Sequence, residues 1–395
     1  MKKHFLLTPG PTPIPPEVSA KEGLPVLHHR TSEFGAIFQE VIENLKYAFQ
    51  TKNDVFLIAG SGTGAMESAV ANLLSPGETA LVASSGVFGD RFIKIMEAYG
   101  IQAIPLREPD GQVVVPAKIE EALKKNPGIK AVFATHTETS TGVVNDIEAI
   151  GKIVAKTAAV LVVDAVSGLV GQELRTDAWK IDVACTGSQK GLMTAPGLGM
   201  VSVSAKAWPL VEASKSPRFY FDWRKMKKSV AEKQTPFTPP VTVIAAQAEA
   251  LRQIKQEGLE NIFARHAWLA NATRQAAKAL GLKLFAQVPC NVLTAMVVPD
   301  GIDGKAIVKR MREEYGVSIA GGQGALVGKI IRLAHMGYME RFDVLVGIAA
   351  LEMMLYELGY KVELGKGVAA AERAFLAKPQ PAARSSAAPA TAGSR

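Results

Sequence analysis

The sequence predicts an α/β protein, a large domain built on a mainly parallel sheet followed by a smaller C-terminal α/β domain. Three observations lead there. Short runs that are apolar on both faces recur between Val55 and Val203, as in strands buried inside a parallel sheet. Helix-spaced apolar segments fall between them, the alternation of a sheet covered by helices on both sides. From about residue 245 the alternation gives way to long helical segments and a second, shorter set of strands.

Taken in order, residues 1–20 carry Pro9, Pro11, Pro13, Pro15 and Pro16 and read as an extended, non-helical arm. Phe38, Val41, Ile42, Leu45, Ala48 and Phe49 then fall at helical spacing. Strands are expected at 55–58, 79–83, 131–135, 159–164, 183–186 and 199–203, with helices at 66–74, 91–99, 117–125 and 147–156. Long helices are expected at 241–257 and 259–280. Beyond them come strands at 282–285, 292–298 and 330–333 and helices at 305–314 and 342–358. The expected units are an arm over 1–20, a large domain over 21–245, a helical linker with the small domain over 246–377, and a disordered Ala-, Pro- and Ser-rich tail over 378–395.

Composition excludes several classes. Two cysteines, Cys185 and Cys290, form neither a disulfide framework nor a metal cluster, and no metal site is expected. The N-terminal apolar run Phe5-Leu6-Leu7 is too short for a signal-peptide core, and the longest apolar stretch is broken by Asp164. No membrane span and a cytoplasmic location are therefore expected. The net charge of +8 comes without the basic-aromatic pattern of nucleic-acid binding.

Four segments at the ends of predicted strands carry the chemistry, where open α/β sheets bind ligands. Gly60-Ser61-Gly62-Thr63-Gly64-Ala65 joins a strand to a helix. It reads either as a phosphate cradle or as a tight turn without a ligand. Ser85-Gly86-Val87-Phe88-Gly89-Asp90 offers an aromatic ring in a loop, for a flat ligand or for the core. Asp164 ends an apolar strand, where a carboxylate needs a partner; a protonated pyridine nitrogen is one, a helix cap another. Lys190, in Gly187-Ser188-Gln189-Lys190-Gly191, follows another strand. A lysine partly out of water is a nucleophile able to form a Schiff base with an aldehyde.

With these motifs the chain resembles the fold-type I pyridoxal-phosphate enzymes. Within them it resembles the class V aminotransferases of the alanine–glyoxylate / serine–pyruvate branch, over residues 5–370. The matching segments include Leu7-Thr8-Pro9-Gly10-Pro11-Thr12, His28-His29-Arg30, His136-Thr137-Glu138-Thr139-Ser140-Thr141-Gly142, Ser188-Gln189-Lys190-Gly191 and Gln234-Thr235-Pro236-Phe237-Thr238-Pro239. The resemblance implies a mixed, mainly parallel sheet and pyridoxal 5'-phosphate as cofactor. Lys190 would carry the aldehyde and shuttle the proton, Asp164 would pair with the ring nitrogen, and Phe88 would stack on the ring. Thr63, Gly64, Ala65 and Gln189 would serve the phosphate, and Thr139 the ring oxygen. Gln234 and Thr235 would reach the phosphate of a neighbouring subunit in a homodimer with shared sites. Arg332 would bind the substrate carboxylate, with Gly10 close by.

The expected reaction passes an amino group from a small amino acid, alanine or serine, to the 2-oxo acid glyoxylate or pyruvate. For a dicarboxylate donor a second arginine is expected, and Arg30 is the only candidate singled out. Two alternatives stand beside it. One is a cysteine desulfurase or lyase of the same fold, which needs a nucleophilic cysteine. The other is a non-catalytic homologue serving as a partner subunit.

Overall fold

The computed structural model describes residues 3–377; the tail expected at 378–395 lies outside them. Seven strands form the main sheet: β1 (Asp54–Gly60), β2 (Thr79–Ser84), β3 (Gln102–Arg107), β4 (Ala131–Thr135), β5 (Val160–Asp164), β6 (Val183–Gly187) and β7 (Gly197–Val203). Their order is β1-β7-β6-β5-β4-β2-β3. Only β7 runs against its neighbours. The C-terminal ends of the other six therefore share one edge, and the loops after Gly60, Ser84, Thr135, Asp164 and Gly187 meet there.

β4, β5 and β6 are buried along their whole length. Apolar clusters cover both faces of the sheet. Val132, Leu161, Val163 and Ala184 belong to one, and Phe133, Val160, Val162 and Cys185 to the other. This alternation explains the unbroken apolar runs in the sequence. β3 escaped the sequence reading because it is an edge strand with alternating exposure and a central Pro105.

The helix Ser32–Phe49 starts where the Thr31 side chain accepts the Phe34 amide, and it buries Phe34, Phe38, Val41, Ile42, Leu45, Ala48 and Phe49. Its partner is the helix Val241–Glu257, whose Val241, Ile244, Ala248, Leu251 and Ile254 join the same core. The segment beyond the boundary expected at 245 thus packs, as far as Ile254, on a helix of the large domain. Gly258, at φ +83°, separates that helix from Leu259–Ala279.

The small lobe is a three-stranded antiparallel sheet, Leu293–Val297 (β8), Ala320–Gly321 (β9) and Ile330–Ala334 (β10), in the order β8-β10-β9. The helices Leu259–Ala279, Gly304–Tyr315, Arg341–Glu357 and Lys366–Leu376 contribute to its apolar core. The strand expected at 282–285 is reduced to a single bridge between Leu284 and Met296.

The arm departs from expectation in one respect. Pro16–Glu22 is helical, with Pro16 in the first turn, where a missing N–H costs nothing. Before it, Phe5–Leu6 pairs in parallel with Val317–Ser318 of the small lobe.

Candidate active site

Lys190 stands in the turn after β6 and is 9% exposed. Its cavity is lined by Ser61–Thr63, Phe88, Arg91, Thr139, Asp164, Ser167 and Gln189. Burial lowers the Lys190 pKa to about 8, against the pull of Asp164 and with help from Arg332 and Arg91. The amine donates to the Pro9 carbonyl of the arm. Thr12 Oγ1 donates to the Lys190 carbonyl at 3.1 Å and fastens the arm alongside. Gly10, between them, has φ +131°, and a Cβ there would collide with the Lys190 side chain. The arm therefore lies directly against the Lys190 side chain.

Asp164 ends β5 and is 3% exposed. Its Oδ1 accepts the Val166 amide at 2.9 Å. Burial raises its pKa to about 7, opposed by that amide and reinforced by Glu138, with Arg91 and Lys190 pulling the other way. A carboxyl group held there exchanges a proton readily with a pyridine-type nitrogen.

The helix Gly62–Leu73 follows β1. A Cβ on Gly62 would lie 2.7 Å from Val166 Cγ2, so only glycine lets the helix start this close to the Asp164 loop. Of the phosphate donors expected in this helix, Thr63, Gly64 and Ala65, the last differs in geometry. The Ala65 amide donates to the Ser61 carbonyl at 3.1 Å as the first helical bond. The leading amides, which have no intrahelical acceptor, are those of Gly62, Thr63 and Gly64. Among the described residues, the buried Gln189 Oε1 has no hydrogen-bond partner, and Gln189 lines the same cavity.

Phe88 is not in a loop but in the first turn of the helix Val87–Ala98, whose cap Gly86 offers no side chain. A distant residue does the capping. Glu138, fully buried, accepts the amides of Phe88 at 3.1 Å, Gly89 at 3.0 Å and Ser140 at 3.1 Å, and the Ser140 hydroxyl at 2.5 Å. Burial pushes its pKa up and the four donors pull it down. Neighbouring Thr139 shares a hydrogen bond with Ser167 through its hydroxyl and accepts Arg332 Nη1 on its carbonyl at 2.7 Å. Replacing Glu138 with glutamine points an amide N–H₂ at donors. We expect Glu138→Gln to lose about 3 kcal/mol of stability, read as a lower urea midpoint; an unchanged midpoint contradicts this account.

Arg332, on β10, is 4% exposed, and burial lowers its pKa to about 10. Nε and Nη2 donate to the Gly321 carbonyl at 2.9 and 2.6 Å. With Nη1 on Thr139, one N–H remains on each terminal nitrogen, the pair that grips a carboxylate.

Gln234 and Thr235 are not in this cavity. Arg30 Nη1 holds them, donating to Gln234 Oε1 at 2.7 Å and to the Thr235 carbonyl at 2.8 Å. That task occupies the one candidate for a second substrate arginine. Neither cysteine fits a desulfurase nucleophile. Cys185 and Cys290 are fully buried, burial raises both thiols, and their sulfurs lie 3.6 Å from the Ala65 and Leu293 carbonyls. The site residue missed in the sequence is Arg91. Its guanidinium lies 4.6 Å over the Phe88 ring, and Nη1 donates to Thr63 Oγ1 at 2.8 Å. Its place one helical turn after Phe88 becomes a signal only once that helix is known to begin at Val87.

The family model described as aminotransferase class-V matches residues 4–344. The chain belongs to the class-V aminotransferases. This aminotransferase is 44% identical over 379 residues to the soluble hydrogenase 42 kDa subunit of Anabaena cylindrica, covering 94% of this chain and 99% of that one. It is 39% identical to the L-aspartate–glyoxylate aminotransferase of Paracoccus denitrificans, over 94% and 96% of the two chains. Among solved structures it is similar to an alanine–glyoxylate aminotransferase from Nostoc sp., with a TM-score of 0.87 and 31% identity over 90% of this chain and 96% of that one. The aminotransferase fold and its mixed, largely parallel sheet agree with the sequence reading.

Proposed function

We propose that this aminotransferase is a cytoplasmic homodimer. It moves the amino group of alanine or serine onto glyoxylate or pyruvate with pyridoxal phosphate held on Lys190. The observation that carries the reading is the buried Lys190 amine, with a pKa near 8, in one cavity with the Asp164 carboxyl and the Phe88 ring. The residues fit the cofactor: a nucleophilic amine for the aldehyde, an acid for the ring nitrogen, an aromatic face, and a helix start for the phosphate. When bound, pyridoxal phosphate supplies the electron sink that makes the substrate Cα–H acidic.

The chain's own residues do the rest. Arg332 orients the substrate by its carboxylate, using the two N–H groups left free of Gly321 and Thr139. With the cofactor bound, the Lys190 amine would take the proton from the substrate Cα and deliver it two atoms along, past the shared nitrogen, to the carbon that had been the cofactor aldehyde. Asp164 keeps a proton on the ring nitrogen. The arm, with Pro9 and Gly10 against Lys190, keeps water from that proton.

No helix among the described residues is long and apolar enough to cross a membrane. Gln234 and Thr235, fixed by Arg30 away from their own cavity, are free to serve a partner's phosphate. Sedimentation should therefore give a dimer. Two relatives, one named for aspartate and one for alanine, both pair their donor with glyoxylate. The occupied Arg30 favours the small donor.

The test is a panel of amino donors against glyoxylate, pyruvate and 2-oxoglutarate. Alanine or serine with glyoxylate should give the highest kcat/KM. A preference for aspartate or glutamate overturns the substrate assignment and leaves the reaction class standing. The Anabaena relative's name favours a second reading, a subunit that serves another enzyme. Failure of every donor, in protein that binds no pyridoxal phosphate, would support that reading.

A further inference from the structure

Arg91 is a cation set where a cation alone is unwelcome. It lies in the second turn of Val87–Ala98, one turn after Phe88, and its Nη1 donates to Thr63 Oγ1. Thr63 belongs to the first turn of Gly62–Leu73, so the guanidinium faces the positive end of that helix. Among the described residues, no carboxylate lies within ion-pair distance of Arg91. Asp164 feels its charge from further off and is engaged by the Val166 amide. Lys190, the other cation lining the cavity, is taken by the Pro9 carbonyl. Two positive features thus face each other across a polar cavity. An anion between them turns that repulsion into two attractions. The anion that fits is a phosphate monoester, which carries a charge of about −1.5 to −2 at neutral pH. Its oxygens would meet the leading amides of Gly62, Thr63 and Gly64 from one side and the planar guanidinium from the other.

We propose that Arg91 is a phosphate-binding residue of this site and supplies the counter-charge that neutral donors lack. Thr63 holds the guanidinium in place by its hydroxyl, and the Phe88 face supports it at 4.6 Å. The proposal rests on the pyridoxal-phosphate reading and adds to it a cation that recognises the phosphate rather than the ring.

The experiment compares two ligands that differ only in that group. The full-length apo protein, as wild type and as Arg91→Met and Arg91→Lys, is titrated with pyridoxal 5'-phosphate and separately with pyridoxal, followed by absorbance and intrinsic fluorescence. Far-UV circular dichroism is recorded on each. For Arg91→Met the affinity for pyridoxal phosphate should fall about 10- to 100-fold, while that for pyridoxal changes less than threefold. Arg91→Lys, which keeps the charge without the planar fork, should recover part of the loss. Inorganic phosphate should compete with pyridoxal phosphate in the wild type and much less in Arg91→Met. A residue that merely props Phe88 would weaken both ligands by the same factor, and that result overturns the proposal, as does no change in either. If Arg91→Met fails to fold, Arg91→Lys carries the test: equal losses for both ligands overturn the proposal. Wild-type protein that binds neither ligand would instead remove the cofactor reading itself.

Discussion

Lys190→Ala should lower kcat by roughly four orders of magnitude, the upper end of what a positioned acid–base group contributes, with the fold intact. The side chain packs against the arm and donates one hydrogen bond, to Pro9, so its loss leaves a small gap rather than an exposed core. The same lysine sets a pH dependence. Only the neutral amine attacks an aldehyde, and burial puts its pKa near 8 rather than 10.5. The rate at which apo protein captures pyridoxal phosphate should therefore rise about tenfold per pH unit below 8 and level off above it. Stopped-flow absorbance reads this directly. A rate still climbing steeply between pH 9 and 10 would mean that the amine is solvated, and the account of the cavity would fail.

Asp164→Asn should cost roughly 10²- to 10³-fold in kcat, the usual effect of removing one group aimed at developing charge. An amide cannot hold a proton on the ring nitrogen. Stability should move the other way. Burial raises the Asp164 carboxyl to about 7 in the folded chain, against an ordinary 3.8. The folded state then binds the extra proton between those values, so this group's contribution is full below about pH 4 and is lost as pH rises to 7. Apo Asp164→Asn should thus be at least as stable as apo wild type above pH 7, with its relative advantage shrinking in acid. Urea midpoints across pH 4–8 test this. A variant both inactive and less stable at pH 8 would make Asp164 a structural residue.

The sequence was most legible where local chemistry and topology agree. β5 and β6 are uninterrupted apolar runs, and the polar residues that close them, Asp164 and the turn to Lys190, stood out because burial is costly for them. What stayed hidden depends on partners distant in the chain. The start of Val87–Ala98 has no local cap because Glu138 provides it from the segment after the neighbouring strand β4. Phe88 was consequently read as a loop residue and Arg91 was passed over. The helix Val241–Glu257 shows a similar dependence: in the sequence it reads as a linker, and its packing on Ser32–Phe49 comes from residues far away in the chain. The Ala65 assignment came by analogy of motif. The hydrogen bond to Ser61 shows that the helix begins earlier than that analogy assumed.

The attachment of the arm has a mechanical consequence. Leu7 is stitched to the small lobe on both sides, its amide to Ser318 and its carbonyl to the Ala334 amide, and two residues later the Pro9 carbonyl takes the Lys190 amine. A tether this short has almost no slack. Any swing of the small lobe must tug on the nucleophile, and any change at the nucleophile must be felt by the lobe that carries Arg332. The grip on the substrate and the readiness of the amine are geared together by three residues of backbone.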